Sequence, residues 1–209
     1  MPAWTPRAAA ALVALICWTA LGLRFAATYS HIGDALATLW ILARFFTITT
    51  NLAVAVAMTM AAFGKRVSDF LLGWLTLSIV LVGVVYLVLL QKLFHLTGMA
   101  LAADVLMHKV APVAMPLYWL AFAPHGRLRW SAALWWSLYP TVYFAYALAR
   151  GAIDGIYPYP FMDVGKIGLG HSLINAAIIA AAFIVAGEAL AWLDRRLGAQ
   201  AVNFVAHPQ

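Results

Sequence analysis

Six stretches of this chain are apolar for long enough, or nearly so, to cross the hydrocarbon of a bilayer, and this leaves few folds open to it. A helix needs roughly 20 apolar residues for one crossing. The runs at 8–28, 35–63, 70–90, 105–123, 131–149 and 169–193 meet or approach that length. Lipid offers no water to backbone amides, so each run must pair its own N–H and C=O groups, and a helix does this. The sequence therefore predicts an all-α fold, a polytopic membrane bundle of six transmembrane helices forming a single domain over residues 1–209. The second run is too long for one perpendicular crossing. Its last 20 or so residues are expected to span, while residues 35–42 lie at the interface or prolong the helix.

Composition agrees. Hydrophobic residues make up 66% of the 209 positions and charged residues 10%, against about 45–50% and about 25% in soluble domains. No soluble core buries that excess, so it faces lipid. Thirteen Lys and Arg against seven Asp and Glu give a net charge of +6, which in a soluble chain would raise nucleic-acid binding. Here most basic residues sit at the ends of apolar runs, where they set orientation, and no nucleic-acid partner is expected. With six alternating spans, Arg7, Lys65, Arg66, Arg127, Arg129, Arg195 and Arg196 fall on one side, and Asp34, Asp104, Asp154 and Asp163 on the other. Lys92, Lys109, Arg150 and Lys166 dilute the bias, which still predicts both termini in the cytoplasm. The first run exceeds the 7–15 residues of a signal-peptide core and reads as a retained helix. Cys17, the single cysteine, can form neither an intrachain disulfide nor a metal cluster. No metal and no cofactor are predicted.

Polar groups inside the spans are costly and are functional candidates by default. On the second run Arg44, Thr47 and Asn51 share a helical face, joined by Thr50. Interhelical hydrogen bonding would also explain such residues. On the fourth, Asp104 and His108 are four apart, so the carboxylate can orient the imidazole as it does for a catalytic base. An interfacial histidine reaching for headgroups is the other reading. Pro112 and Pro116 just below imply a kink. Thr47 and His108 fall at similar depth, within about two helical turns of the outer surface, so a hydroxyl and a base from different helices can meet. Tyr139, Tyr143, Tyr146 and Arg150 recur at helical spacing on the fifth run, with His171 and Asn175 on the sixth. They read either as packing and an interfacial belt or as a polar cavity lining. The GxSxG, HExxH and GxxxxGK[ST] signatures are absent, which disfavours a serine lipase, a zinc protease or an ATP-driven pump.

Four short motifs occur in order: Arg44-Phe45-Phe46-Thr47; Met107-His108 followed by Pro116; Tyr157-Pro158-Tyr159-Pro160-Phe161-Met162-Asp163; and Gly187-Glu188-Ala189-Leu190. In that combination, from about residue 8 to 195, the chain resembles the androgen-induced-gene family of membrane hydrolases, and closely resembles its prokaryotic six-span branch. The resemblance implies a threonine hydrolase of lipid esters, in animal members notably fatty acid esters of hydroxy fatty acids, in a bacterial inner membrane. Its nucleophile and base correspond to Thr47 and His108, with Thr49 and Thr50 close enough to exchange for the former. On that reading Asp104 holds the imidazole, and Arg44, Asn51, Asn175 or a tyrosine phenol supplies the oxyanion donors. The partner is then a membrane lipid or lipid ester. A small-molecule or proton-coupled transporter using the same outer polar cavity is the alternative function, and a non-catalytic lipid-binding protein a third.

Overall fold

A computed structural model describes residues 4–93 and 95–206, with side chains as far as residue 200. The described residues form helices and no strand. In order these are α1 (Trp4–Ile32), α2 (Ala35–Leu42), α3 (Phe46–Ala62), α4 (Asp69–Val85), α5 (Gly98–Val105), α6 (Ala111–Phe122), α7 (Ala132–Asp154) and α8 (Val164–Ala206). Four stretches of the described residues are long and apolar enough to cross a membrane: Trp4–Ile32, Asp69–Leu90, Gly98–Phe122 and Val164–Gln200. The pair α2–α3 makes a fifth if it is counted as one span. At 23 residues α7 has the length, but Ser137, Tyr139, Pro140, Thr141, Tyr143, Tyr146 and Arg150 lower its apolar character. The chain thus has the long apolar helices of a multi-pass membrane protein. Its contacts divide it into two compact units, residues 1–123 and 124–209, each described by itself.

In the first unit α1 packs along α3 and also meets α5 and α6. The buried residues of α1 are small, among them Ala10, Ala14, Cys17 and Ala20, and α3, on which it packs, buries Val54, Ala55, Ala57 and Met58. Small side chains let membrane helices approach closely, since burying apolar surface against lipid gains little. Trp18 Nε1 also donates to Thr59 Oγ1 at 3.0 Å.

The run at 35–63 is not one helix. Gly33 takes φ 75°, a backbone region that favours glycine, and Asp34 Oδ1 then accepts the Ala37 N–H at 2.7 Å to cap α2. After Leu42 the chain turns, and α3 leaves at 100° to α2. Residues 35–42 therefore neither lengthen the spanning helix nor continue its direction.

Two further departures from regular helix face each other. After α4 the turn Tyr86–Leu90 widens to π geometry, with the Gln91 N–H bonded to the Tyr86 carbonyl at 2.9 Å. Between α5 and α6 the turn Leu106–Val110 does the same, so the fourth expected span begins at Gly98 and passes through a widened turn before α6. Pro112 gives the physical reason for the second. It has no N–H for the His108 carbonyl four residues back, and its ring would collide with that carbonyl in a regular helix. Gly83 of α4 accommodates the result. A Cβ there would lie 2.8 Å from Pro112 Cβ and 3.3 Å from the His108 carbonyl oxygen.

In the second unit α7 and α8 pack together. The connection between them folds back on its helices. Tyr157 lies so close to Gly151 that a Cβ there would be 2.2 Å from its ring. Met162, in the short 3₁₀ turn Pro160–Met162, is fully buried. The Asn175 Nδ2 donates to the Phe161 carbonyl at 2.7 Å. Helix α8 is broken at Gly168, with φ 76° and ψ 157°. At the opposite end of this unit buried Asp194 accepts the Gly126 and Leu128 N–H groups, both at 2.9 Å, and reaches His125 Nδ1 at 3.3 Å.

Gly83→Ala is expected to force α4 from the Pro112 turn and to destabilise the protein by about 1–3 kcal/mol, the usual cost of overpacking. Thermal unfolding in detergent reads this directly. Gly22→Ala, at a site with open space, should leave the transition within error.

Candidate functional site

Thr47 occupies the first turn of α3, immediately after the bend. The first hydrogen bonds of that helix run from the Ile48 and Thr49 N–H groups to the Phe45 carbonyl, at 3.1 and 3.3 Å. The Phe46 and Thr47 amides therefore precede the ladder, among the donors a helix cannot satisfy internally. The bend thus places a hydroxyl beside two amides at the positive end of the helix dipole. Asn51, one turn along and fully buried, donates from Nδ2 to the Thr47 carbonyl at 2.9 Å and fixes this turn.

Across from it stands His108, in the widened turn after α5. Its Nε2 lies 3.3 Å from Thr47 Oγ1. Its Nδ1 is 3.0 Å from Asp104 Oδ1 and 3.1 Å from the Asp104 carbonyl oxygen. Both of these oxygens are acceptors, so Nδ1 carries the proton and Nε2 is left with the lone pair that faces the hydroxyl. Among the described residues Thr47 and Asp104 are the only hydrogen-bond partners of the His108 imidazole. Thr49 turns its hydroxyl to the Phe46 carbonyl at 3.0 Å. Thr50 is buried.

Sequence reasoning missed the fourth member. Tyr86, in the widened turn after α4, donates its phenol hydrogen to Asp104 Oδ2. Its ring stacks on the imidazole, with centroids 4.1 Å apart and planes 12° from parallel. Each carboxylate oxygen of Asp104 thus has its own donor, and the imidazole is held by a hydrogen bond at its edge and an aromatic ring on its face. The available signal was weak, because a tyrosine near the end of an apolar run reads as an interfacial anchor.

The other candidates divide by unit. Arg44 is buried in the bend three residues before Thr47. Lys109 is exposed and is no hydrogen-bond partner of His108. In the second unit Arg150 is buried, donates from Nη1 to Tyr146 Oη at 2.8 Å and lies 3.8 Å from Asp154. Tyr143 is buried with its ring 6.2 Å from that of Tyr146, and Tyr139 is half-buried one turn earlier. His171 is exposed with Nδ1 at 3.0 Å from the Ile167 carbonyl. The Asn175 amide is engaged by the loop. No group of three or more metal-ligating side chains occurs among the described residues.

Comparison with protein-family models, curated proteins and solved structures finds no match for this chain. The function must therefore be argued from the site. A hydroxyl, an imidazole and a carboxylate in sequence, with a preset tautomer, can move a proton from the hydroxyl oxygen to Nε2 as that oxygen attacks an electrophile.

That tautomer is measurable. In a ring-¹⁵N spectrum of the neutral protein, His108 should carry its proton at Nδ1; a protonated Nε2 would remove the geometry on which proton transfer from Thr47 depends.

Proposed function

We propose that the chain is an intramembrane hydrolase of lipid esters, with Thr47 as nucleophile, His108 as base and Asp104 as its orienting carboxylate. The single observation that carries this reading is the line from Thr47 Oγ1 through the two His108 nitrogens to Asp104 Oδ1, with contacts of 3.3 and 3.0 Å. The resemblance to androgen-induced-gene hydrolases supports it independently, because that resemblance picks out the same threonine and histidine by motif. It also carries the proposal that six spans are present, counting α2–α3 as one and α7 as another, with both termini cytoplasmic in a bacterial inner membrane.

In the proposed cycle Thr47 Oγ attacks the ester carbonyl carbon as its proton passes to His108 Nε2. The carbonyl oxygen becomes an oxyanion facing the Thr47 amide at the positive end of α3, with Arg44 as a nearby positive charge in the bend. Collapse breaks the ester C–O bond, and His108 returns the proton to the departing alkoxide. Water then attacks the acyl-threonine, giving its proton to His108. Second collapse releases the fatty acid and restores the Thr47 hydroxyl. Asp104 stays an anion throughout and stabilises the imidazolium. Tyr86 acts as a positioning residue, since its phenol bonds Asp104 and its ring stacks on the imidazole.

An apolar groove of about 370 Å³ runs along α3 from Thr49 through Leu52, Val56 and Met60 to Trp74 of α4. It opens on a different face of α3 from Thr47, since residues two apart on a helix do not share one.

Thr47→Ala and His108→Ala should each abolish hydrolysis of a fluorogenic lipid ester in detergent while purified yield is unchanged. Asp104→Asn should lower kcat by up to about 10⁴-fold by imposing the wrong tautomer. A lipophilic fluorophosphonate should modify Thr47, as located by peptide mass spectrometry. Undiminished turnover by the double Thr47→Ala, His108→Ala variant would end the proposal; protein-dependent flux into liposomes without ester cleavage would put the transporter in its place.

Tyr86→Phe keeps the stacked ring and loses the phenol. It should lower kcat severalfold at unchanged KM, whereas Tyr86→Leu should lower it further; equal activity of the two variants would deny the ring any role.

A further inference from the structure

We propose that the cleft where α1 ends and α5 begins binds the anionic head of an amphiphile, a carboxylate or a phosphate, and that Arg24 is its anchor. The cleft holds about 410 Å³ and is lined by Arg24, Thr28, His31, Ile41, Thr97 and Ala100, among others. Arg24, Thr28 and His31 stand at i, i+4 and i+7 on α1 and share one face. Ala100 closes the opposite side from α5.

What points to an anion is the state of Arg24. It lies in the last third of an apolar helix, where a fixed positive charge is costly and functional by default. Its guanidinium makes no hydrogen bond or ion pair with any described residue. Asp104 lies within its electrostatic reach, and both oxygens of that carboxylate are already bonded, to His108 and to Tyr86. A charge with five fixed donors therefore faces a cleft, and no described residue takes a hydrogen bond from it.

Location ties the cleft to the site. Ala100, Asp104 and His108 form one stripe of α5 and its widened turn, four residues apart. At 1.5 Å per residue an anion at Ala100 sits roughly 12 Å from the imidazole. An amphiphile held by its head against Arg24 would lie along that stripe, with an ester about that far from its charge presented to Thr47. An arginine that merely reached for bulk headgroups would show no preference among ligands of equal chain length. The role in substrate choice rests on the hydrolase reading. The binding does not, and it can be tested in protein unable to turn over.

The experiment uses full-length Thr47→Ala protein in nanodiscs of neutral phosphatidylcholine. Three fluorescent probes of one chain length are titrated: a fatty acid, its methyl ester and an alkyl phosphate. The charged probes should bind at least about tenfold tighter than the methyl ester, as one charge-assisted contact allows. The tighter of the two charged probes separates a carboxylate head from a lipid phosphate. Arg24→Gln should abolish the preference and Arg24→Lys retain part of it. Ala100→Phe, which fills the cleft and leaves the charge, should weaken both charged probes. Equal binding of the methyl ester, or a preference that survives Arg24→Gln, overturns the proposal. Charge-selective binding by a protein that proves to have no hydrolysis sinks the hydrolase reading alone; charge-indifferent binding by a protein whose wild type hydrolyses esters sinks this one alone.

Discussion

Backbone amides in hydrocarbon have nowhere to turn but their own helix, and a bilayer-crossing chain is therefore regular wherever it can be. Against that rule, the places where this chain gives up regularity carry information. In the first unit there are three inside the apolar segments: the bend between α2 and α3, and the widened turns at Tyr86–Leu90 and Leu106–Val110. Each delivers one part of a single arrangement. The bend sets buried Thr47 in the first turn of α3, one widened turn carries Tyr86 and the other carries His108. Widened turns inside helices are frequent at functional sites, and here two of them converge on one imidazole.

The carboxylate at the centre shows why four residues are needed. An aspartate withdrawn from water with one donor keeps much of its desolvation cost, whereas one whose oxygens are all bonded does not. Asp104 has His108 on one oxygen and Tyr86 on the other. Neither is a permanent cation, so the carboxylate can respond as charge develops on the imidazole. The same phenol that satisfies Asp104 brings its ring over His108. Hydrogen bond and stack together leave the imidazole little freedom to rotate away from Thr47.

Much of this was legible in the sequence, for identifiable reasons. Apolar runs gave the helices, because lipid enforces a direct link between composition and secondary structure. The Asp104–His108 spacing gave their contact, because residues four apart share a helical face. The bend at residues 43–45 was not legible, because Ala43-Arg44-Phe45 contains neither Gly nor Pro to mark a turn. Tyr86 escaped because partners distant in sequence leave no periodic trace. The run Tyr157–Asp163 is tied down by the burial of Met162, the Tyr157–Gly151 contact and the Asn175 amide. Of these only Gly151 left a mark in the sequence, a glycine within a helix, and one such residue does not reveal its partner.

Pro112 shows how local and tertiary demands were reconciled. A proline in a spanning helix removes one hydrogen bond and pushes on a carbonyl; in lipid both effects must be absorbed nearby. The widened turn absorbs the push, and Gly83, having no side chain, lets α4 close over the proline and the His108 carbonyl. Because α4 continues from Gly83 directly into the turn that carries Tyr86, the contact that accommodates the proline also fixes the height of the phenol relative to Asp104. Backbone repair and side-chain positioning are thus a single packing problem, and a methyl group at residue 83 disturbs both.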